Sequence, residues 1–162
     1  MRWLKLKEKE IIVDVLTVAN AISMAGKELL NDVLEKYSIS FKEYYMLRHL
    51  EKNPGETQYN LLKYTMLTKS RANQIVSKLE KMGYLVKKTE MVGSLLKKPL
   101  YLTESGEKIV ADGVEEIYEN TIKNLSEEEK FKYELYRSKM VEILMNMGLT
   151  LGTMTPEYLQ EK

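Results

Sequence analysis

Two short amphipathic segments with almost no chain between them constrain the fold more than any other feature of this sequence. The first begins at Thr57, a residue typical of a helix N-cap, and ends near Tyr64 or Thr65. Thr68 is a second N-cap only a tight turn later, and Gly83 ends the helix that follows it. Two helices joined this closely predict a helix-turn-helix.

After Gly83 the sequence changes from helical spacing to short runs that are typical of strands. Residues 84–86 (Tyr-Leu-Val) and 99–102 (Pro-Leu-Tyr-Leu) flank a loop that contains glycine and charged residues. We interpret these two runs as short strands that enclose a charged tip. The sequence therefore predicts a β-hairpin beside the second helix.

The second helix has one apolar and one polar side when it is placed on a helical wheel at ~100° per residue. The polar side contains hydroxyls, amides and cations, whereas the acidic Glu80 lies off to one edge. Every amphipathic helix has a polar side, so this side alone is equally compatible with plain solvation and with an anionic partner. Its side chains are those that can pair with base edges and phosphates in the major groove. The apolar side consists of Ala72, Ile75, Val76, Leu79 and Met82, and the polar side of Ser70, Arg71, Asn73, Gln74, Ser77, Lys78 and Lys81.

Opposite charges are concentrated in different parts of the chain, although the total is close to neutral, with 25 Lys and Arg against 24 Asp and Glu. Residues 67–98 contain eight cations and only two acids, and the excess acid lies largely in residues 104–129. A basic helix beside a basic hairpin is expected to attract the phosphates of duplex DNA. An acidic far side would orient the molecule as it approaches.

Helical patterns also precede the helix-turn-helix. One helix is predicted over about residues 8–37, and Gly26 inside it indicates a bend or a close packing contact. Ser40 and Glu43 form a capping box for a second helix, which ends at residues 53–55 (Asn-Pro-Gly).

Two further helices are predicted after the hairpin. Thr103 caps one that continues to about residue 124, and Ser126 with Glu129 forms a capping box for another that ends at Gly148. Residues 148–162 are loop-rich, with a single helical turn begun by Thr155 and Pro156.

Two segments together carry a family resemblance: FKEYYMLRHLEKNPGETQYNLLKYTMLTKSRANQIVSKLEKMGYLVKK and the later LYLTESGEKI. They give, in order, a helix, a turn, a short helix, a recognition helix, a strand, a wing, a strand and a helix that opens with Leu-Thr-Glu-x-Gly. Over roughly residues 11–147 the chain resembles the MarR family of winged helix-turn-helix transcriptional regulators. The resemblance implies a mainly α fold with a small β-hairpin (α+β), in which long N- and C-terminal dimerisation helices flank the winged helix-turn-helix.

The resemblance also implies a division of the chain and a mode of action. Residues 1–37 would form the N-terminal dimerisation helix, 38–103 the DNA-binding winged helix-turn-helix, and 104–162 the C-terminal dimerisation helices and tail. We expect a homodimer that represses transcription by binding a pseudo-palindrome in double-stranded DNA, with half-sites ~10 bp apart. By family position, Ser70, Arg71, Asn73, Gln74 and Ser77 fall at base contacts, and Lys78 and Lys81 reach phosphates.

The wing departs from the family pattern. Family wings usually carry an Asp-x-Arg element whose arginine enters the minor groove, but residues 89–102 (TEMVGSLLKKPLYL) contain neither arginine nor aspartate. Lys97 and Lys98 would replace it as phosphate contacts, with weaker minor-groove recognition because lysine lacks the planar fork of arginine. We expect Leu95 and Leu96 near the tip to pack internally, the alternative being that they face a partner.

The resemblance further implies an effector, because small phenolic or lipophilic compounds bind between the winged domain and the dimer helices in this family. Tyr37, Tyr44, Tyr45 and Tyr59 are the candidate pocket residues. The alternative for the abundant tyrosines and methionines is that they fill gaps in the core.

The residue types exclude several other functions. No cysteine is present, so disulfides, thiolate metal sites and thiol redox sensing are excluded, and His49 is the single histidine. No pattern in the sequence marks a catalytic nucleophile, a catalytic base or a cofactor loop, so we expect no enzyme activity, cofactor or metal site. No apolar run could cross a bilayer, and the charged N-terminal residues do not suit a signal peptide, so we expect a cytoplasmic protein without membrane association. The alternative function is a winged-helix module that binds a protein without reading DNA sequence.

Overall fold

The computed structural model describes residues 10–65 and 67–148 and has the mainly helical architecture that the sequence predicts. A small antiparallel hairpin lies between the fifth and sixth helices in chain order. The helices are α1 (Ile11–Leu29), α2 (Asn31–Lys36), α3 (Phe41–Lys52), α4 (Gln58–Thr65), α5 (Lys69–Lys81), α6 (Glu104–Ile117) and α7 (Glu127–Asn146), and the strands are β1 (Leu85–Lys87), β2 (Glu90–Val92), β3 (Leu95–Lys97) and β4 (Leu100–Leu102).

The single N-terminal helix predicted over about residues 8–37 is divided at Leu30 into α1 and α2. Leu30 is fully buried, and its N–H donates to the carbonyl oxygens of both Gly26 and Lys27 at 3.2 Å. The helix is continuous through Gly26, and nothing lies within 4 Å of the position that a Cβ would take there. The expected close packing contact at Gly26 is therefore wrong within the protomer. The chain turns at Leu30 instead, where the apolar side chain enters the core.

Helix α3 begins with the predicted capping box. The Glu43 N–H donates to Ser40 Oγ at 3.3 Å, and the Ser40 N–H donates to a Glu43 carboxylate oxygen at 2.7 Å. One side of the helix, including Tyr44, Leu47 and Leu50, is buried in the core as predicted. Burying a leucine side chain contributes ~1.5–3 kcal/mol, so this side largely fixes how α3 packs.

The hairpin has two paired regions rather than one. Strands β1 and β4 form its base, where Leu85 lies opposite Leu102, and β2 and β3 extend it to a turn at Gly93, whose φ is +63°. The sequence predicted only the two strands at the base of the hairpin, because the outer strands β2 and β3 lack a buried side. Leu85 and Leu100 are almost fully buried and anchor the hairpin to the core, and the Leu100 N–H also donates to the carbonyl oxygen of Glu56 at 2.9 Å.

Helices α6 and α7 begin at the predicted caps. The Gly106 N–H donates to Thr103 Oγ1 at 3.1 Å, and Ser126 forms a reciprocal capping box with Glu129. Helix α6 continues as a π-helical turn (Tyr118–Ile122), close to the predicted end near residue 124. The turn predicted at Thr155 and Pro156 lies outside the described residues.

The outer helices leave many apolar side chains in solvent. On α1 these are Ile11, Val13, Val18, Ile22 and Met24, each more than half exposed, and on α7 they include Phe131, Tyr133 and Tyr136. Large apolar side chains exposed in this number are typical of surfaces that a partner covers. Within residues 10–65 and 67–148, no helix has both the length and the apolar character needed to cross a membrane.

Candidate nucleic-acid interface

Helix α5 is held with one side in the core and the other in solvent. Its N-terminus is capped by Thr68, whose Oγ1 accepts from the Arg71 N–H at 3.3 Å. The apolar side is buried as predicted at Ala72, Ile75, Val76 and Leu79, and Met82 packs against the core from the end of the helix. The seven residues predicted for contact with DNA, Ser70, Arg71, Asn73, Gln74, Ser77, Lys78 and Lys81, are all exposed.

Several of these polar side chains bond to one another at the surface. Gln58, at the start of α4, donates from Nε2 to Asn73 Oδ1. Arg71 Nη1 donates to Gln74 Oε1 at 3.2 Å. Exposed hydrogen bonds of this kind contribute little net stability, so a partner that offers matching donors and acceptors can replace them at small cost. The amides of α5 are thus hydrogen-bonded in the protomer and still exposed to a ligand.

Lys78 differs from the other cations of α5 because its side chain, although exposed, bonds to residues outside that helix. Its Nζ donates to a Glu43 carboxylate oxygen at 2.8 Å and to the Ser38 carbonyl oxygen at 3.3 Å. Burial alone would raise the pKa of Glu43, but the hydrogen bonds from Lys78 and Ser40 hold the pKa below its ordinary value. Glu43 is therefore a buried carboxylate that Lys78 keeps charged.

The wing places lysines beside α4. A groove of about 390 Å³ separates the hairpin from the start of that helix. Both lysines that were predicted as wing contacts lie there and are exposed. The lining residues are Thr57, Gln58, Tyr59, Lys87, Leu96, Lys97 and Lys98. The sequence did not single out Lys87 or Gln58 as part of this surface, since only the fold brings β1 and α4 to the same groove.

Comparison with known proteins identifies the segment that contains this surface. Residues 37–90 match the model of the MarR family. This segment is similar to the MarR family. It runs from the end of α2 through both helices of the helix-turn-helix and into the wing. No curated protein matches the chain.

Solved structures of MarR-type proteins share the fold over most of the chain. A MarR transcriptional regulator from Methanosarcina mazei Go1 superimposes with a TM-score of 0.68 and 18% identity, covering 83% of this chain and 99% of that one. A complex of Staphylococcus aureus MepR with DNA gives a TM-score of 0.59 and 23% identity, covering 78% and 94%. MepR described as a transcription regulator of the S. aureus multidrug efflux pump MepA gives 0.55 and 24%, covering 78% and 96%. At these identities the matches establish the fold.

The wing of this chain has an exposed apolar tip. Leu95 and Leu96 are 66% and 59% exposed, so the expectation that they pack internally is wrong. Met91 and Val92 on the opposite strand are also more than half exposed. The tip projects beyond the core, because β2 and β3 pair only with each other and leave both of their sides in solvent.

The four candidate effector tyrosines are not gathered in one place. Tyr37 donates to Asp112 of α6 at 2.6 Å, and Tyr44 donates to the Val110 carbonyl oxygen of the same helix at 3.4 Å. Burial raises the pKa of Tyr44 to about 12. Tyr45 is half exposed, and its ring meets that of Tyr44 edge to face at 5.6 Å. Tyr59 lies apart from these three, in the wing groove.

A second groove, which the sequence did not indicate, lies between α2 and α6. It has a volume of about 310 Å³, and its lining residues are Asp32, Val33, Lys36, Asp112, Glu115, Glu116 and Glu119. Lys36 and Asp112 bridge it with a 2.7 Å ion pair. His49 is partly buried elsewhere, on α3, and burial lowers its pKa while the charge of Glu56 raises it. In the described part of the chain, no group of three or more acidic or histidine side chains could hold a metal ion.

Proposed function

We propose that the protein is a homodimeric transcriptional regulator, acting as a repressor, that binds a specific pseudo-palindromic sequence in double-stranded DNA. The observation that supports this most strongly is the exposed side of α5, which presents hydroxyls, amides and cations with Glu80 as the single acid on that helix. Major-groove recognition requires this set of side chains. The solved complex of MepR with DNA supports the same class of partner for this fold.

The proposal gives different roles to different side chains of the surface. Asn73 and Gln74 are assigned to base edges, since amides pair bidentately with adenine, and Ser70, Arg71 and Ser77 lie on the same exposed side. Lys81 and the wing lysines Lys97 and Lys98 are assigned to phosphates, where a flexible ammonium acts as a point charge. The hydrogen bonds from Arg71 to Gln74 and from Gln58 to Asn73 would help to align the amides before DNA binds.

The exposed apolar surfaces of α1 and α7 support the homodimer. Side chains such as Ile22 and Phe131 are 64% and 68% exposed in the protomer, and burial against a second copy would remove them from water. A two-fold dimer would place its recognition helices in successive major grooves, which predicts half-sites ~10 bp apart. Release by a small lipophilic or phenolic effector between the winged unit and the outer helices also belongs to the proposal and rests on the family resemblance alone.

The test is a binding measurement on a selected pseudo-palindrome with excess random duplex present. The purified protein should retain the specific duplex, and Gln74→Ala should weaken that complex by ~1–3 kcal/mol while leaving random duplex almost unaffected. Lys98→Ala should weaken both kinds of duplex alike and reduce the salt slope by about 1. Lys132→Ala on α7, where the lysine pairs with Glu128 at 2.7 Å, is the charge-matched control and should change neither. Equal loss for Gln74→Ala on both duplexes would refute the assignment to bases.

The exposed wing tip supports one alternative, a winged-helix module that binds a protein. Leu95 and Leu96, together with Met91 and Val92, form an apolar surface that could be buried against a protein partner. Failure to bind any duplex at low salt, with recovery of a partner whose binding is abolished by Leu95→Ser, would favour this alternative. Specific duplex binding that survives Leu95→Ser would exclude it as the main function.

A further inference from the structure

The connector, residues 37–40, joins helices α1 and α2 to the winged unit that begins with α3. Two side chains bind backbone carbonyl oxygens of the connector. Lys78, on the recognition helix α5, donates from Nζ to the Ser38 oxygen at 3.3 Å, and Tyr84, just after that helix, donates from Oη to the Tyr37 oxygen at 3.2 Å. The rings of Tyr37 and Tyr84 also meet edge to face at 6.4 Å. The recognition helix is thus bonded directly to the segment that links it to the outer helices.

The connector has a conformation that needs such support. Ser38 has a φ of +53°, which a residue with a side chain rarely adopts, and it persists only where the surroundings determine it. The Ser38 N–H donates to the Glu35 carbonyl oxygen at 3.1 Å, and the Ser38 carbonyl oxygen receives the Lys78 ammonium. The turn that sets the direction of α3 relative to α2 is therefore secured from α5.

The same ammonium also neutralises a buried acid. Glu43 is 5% exposed, and one of its carboxylate oxygens accepts from both the Ser40 N–H and Lys78 Nζ, at 2.7 and 2.8 Å. Withdrawing Lys78 to a phosphate would leave this carboxylate buried with only the capping hydrogen bond, which is strongly unfavourable. Lys81, one turn further along α5, has no ion pair with any described residue. The two lysines are thus the same residue type on the same helix, but Lys78 has hydrogen-bond partners outside that helix and Lys81 has no ion pair there among the described residues.

We propose that Lys78 is a positioning residue rather than a DNA contact. Together with Glu43 it clamps the connector to the recognition helix. The clamp thereby fixes the angle between helices α1 and α2 and the winged unit. The DNA part of this inference rests on the proposed function. In a two-fold dimer built on the outer helices, the separation of the two recognition helices depends on that angle. The clamp therefore sets which half-site spacing the dimer accepts, and it is a direct route by which a change in α1 or α2 reaches α5.

The DNA test compares Lys78→Met with Lys81→Met on a panel of operators whose half-site spacing is varied by one base pair at a time. Lys81→Met should reduce the salt slope by about 1 and leave the spacing preference unchanged, as expected for a phosphate contact. Lys78→Met should keep the wild-type salt slope and reduce the preference for the optimal spacing by at least several-fold. Lys78→Arg, which restores the donor, should recover the preference. A lowered salt slope with unchanged spacing preference for Lys78→Met would overturn the proposal.

A second measurement tests the clamp without DNA. The urea midpoints of Lys78→Met, Glu43→Gln and the double variant are compared at one protein concentration. The loss caused by Lys78→Met should be much smaller in the Glu43→Gln background, because the charge that it neutralises is already gone. Additive losses would overturn the clamp, and if Glu43→Gln does not fold, the comparison of Lys78→Met with Lys78→Arg still decides it. Absence of any duplex binding by the wild type would instead refute the proposed function and leave this result standing.

Discussion

Replacing Gly106 with alanine should destabilise the protein because helix α6 packs directly on the backbone of the hairpin base. A Cβ at residue 106 would lie 2.0 Å from the carbonyl oxygen of Tyr84 and 3.1 Å from its carbonyl carbon. Both atoms belong to the backbone, so no side chain can rotate away. The Tyr84 oxygen also accepts from the N–H of Thr103, the residue that caps α6, at 3.2 Å. Relief of the clash therefore requires α6 and the wing base to separate.

The size of the effect follows from two opposing contributions. A normal contact needs a separation of roughly 3.2 Å or more, so α6 must move by over ~1 Å, and overpacking of this kind costs ~1–3 kcal/mol or more. The greater helix propensity of alanine offsets up to ~1 kcal/mol of this cost. The net loss is expected at about 2 kcal/mol, which corresponds to a Tm lower by ~4–8 °C for a chain of this length.

Gly26→Ala is the matched control, because nothing lies within 4 Å of its Cβ position and the residue is inside α1. Here only the propensity contribution acts, so the Tm should rise by a few degrees, for a gain of up to ~1 kcal/mol. Thermal unfolding followed by circular dichroism, at one protomer concentration, measures both variants. The packing argument is wrong if Gly106→Ala is as stable as the wild type.

Two further predictions concern the surface. Asp112 accepts from Lys36 and Tyr37, and these hydrogen bonds hold the pKa of its carboxyl below the ordinary value, so its contribution to stability is present above the unfolded-state pKa and is lost as the pH falls through the folded-state pKa. Asp112→Asn should therefore flatten the acid side of the stability profile measured by urea unfolding, and an unchanged profile would contradict the assignment. Leu95→Ser with Leu96→Ser should change the free energy of unfolding by no more than ~0.5 kcal/mol, because both side chains are exposed at the wing tip; a loss of several kcal/mol would mean that the tip is packed in solution.

Local chemistry made much of this fold predictable from the sequence. The N-caps at Thr68 and Thr103 and the capping box at Ser40 are formed as predicted, since each depends on residues within a single turn of helix. The buried side of α5 followed from the spacing of its apolar residues. Each of these features is decided by residues only a few positions apart.

The features that the sequence did not reveal depend on which parts of the chain pack on the core and which do not. Glu43 and Lys78 are 35 residues apart, and the same capping carboxylate that marks the start of α3 turns out to bind a lysine of α5. The division at Leu30 arises because the core of the winged unit accepts that side chain, which periodicity within the helix does not show. The exposure of Leu95 depends on the outer hairpin strands pairing only with each other. Tertiary packing, rather than local propensity, decides the first two, and the exposure of β3 on all three of its residues decides the third.

The most direct test of the central claim, that a dimer of this protein reads DNA through α5, is a base-resolution footprint on the region upstream of its own gene. The account predicts protection of an inverted repeat whose half-sites lie ~10 bp apart, with carbethoxylation of purine N7 atoms, adenines included, in the major groove of each half-site interfering with binding. In the Gln74→Ala variant, interference should weaken at one or two base pairs in each half-site and persist elsewhere. Uniform protection without a repeat, or interference that is identical in the variant, would contradict the claim that α5 selects the sequence.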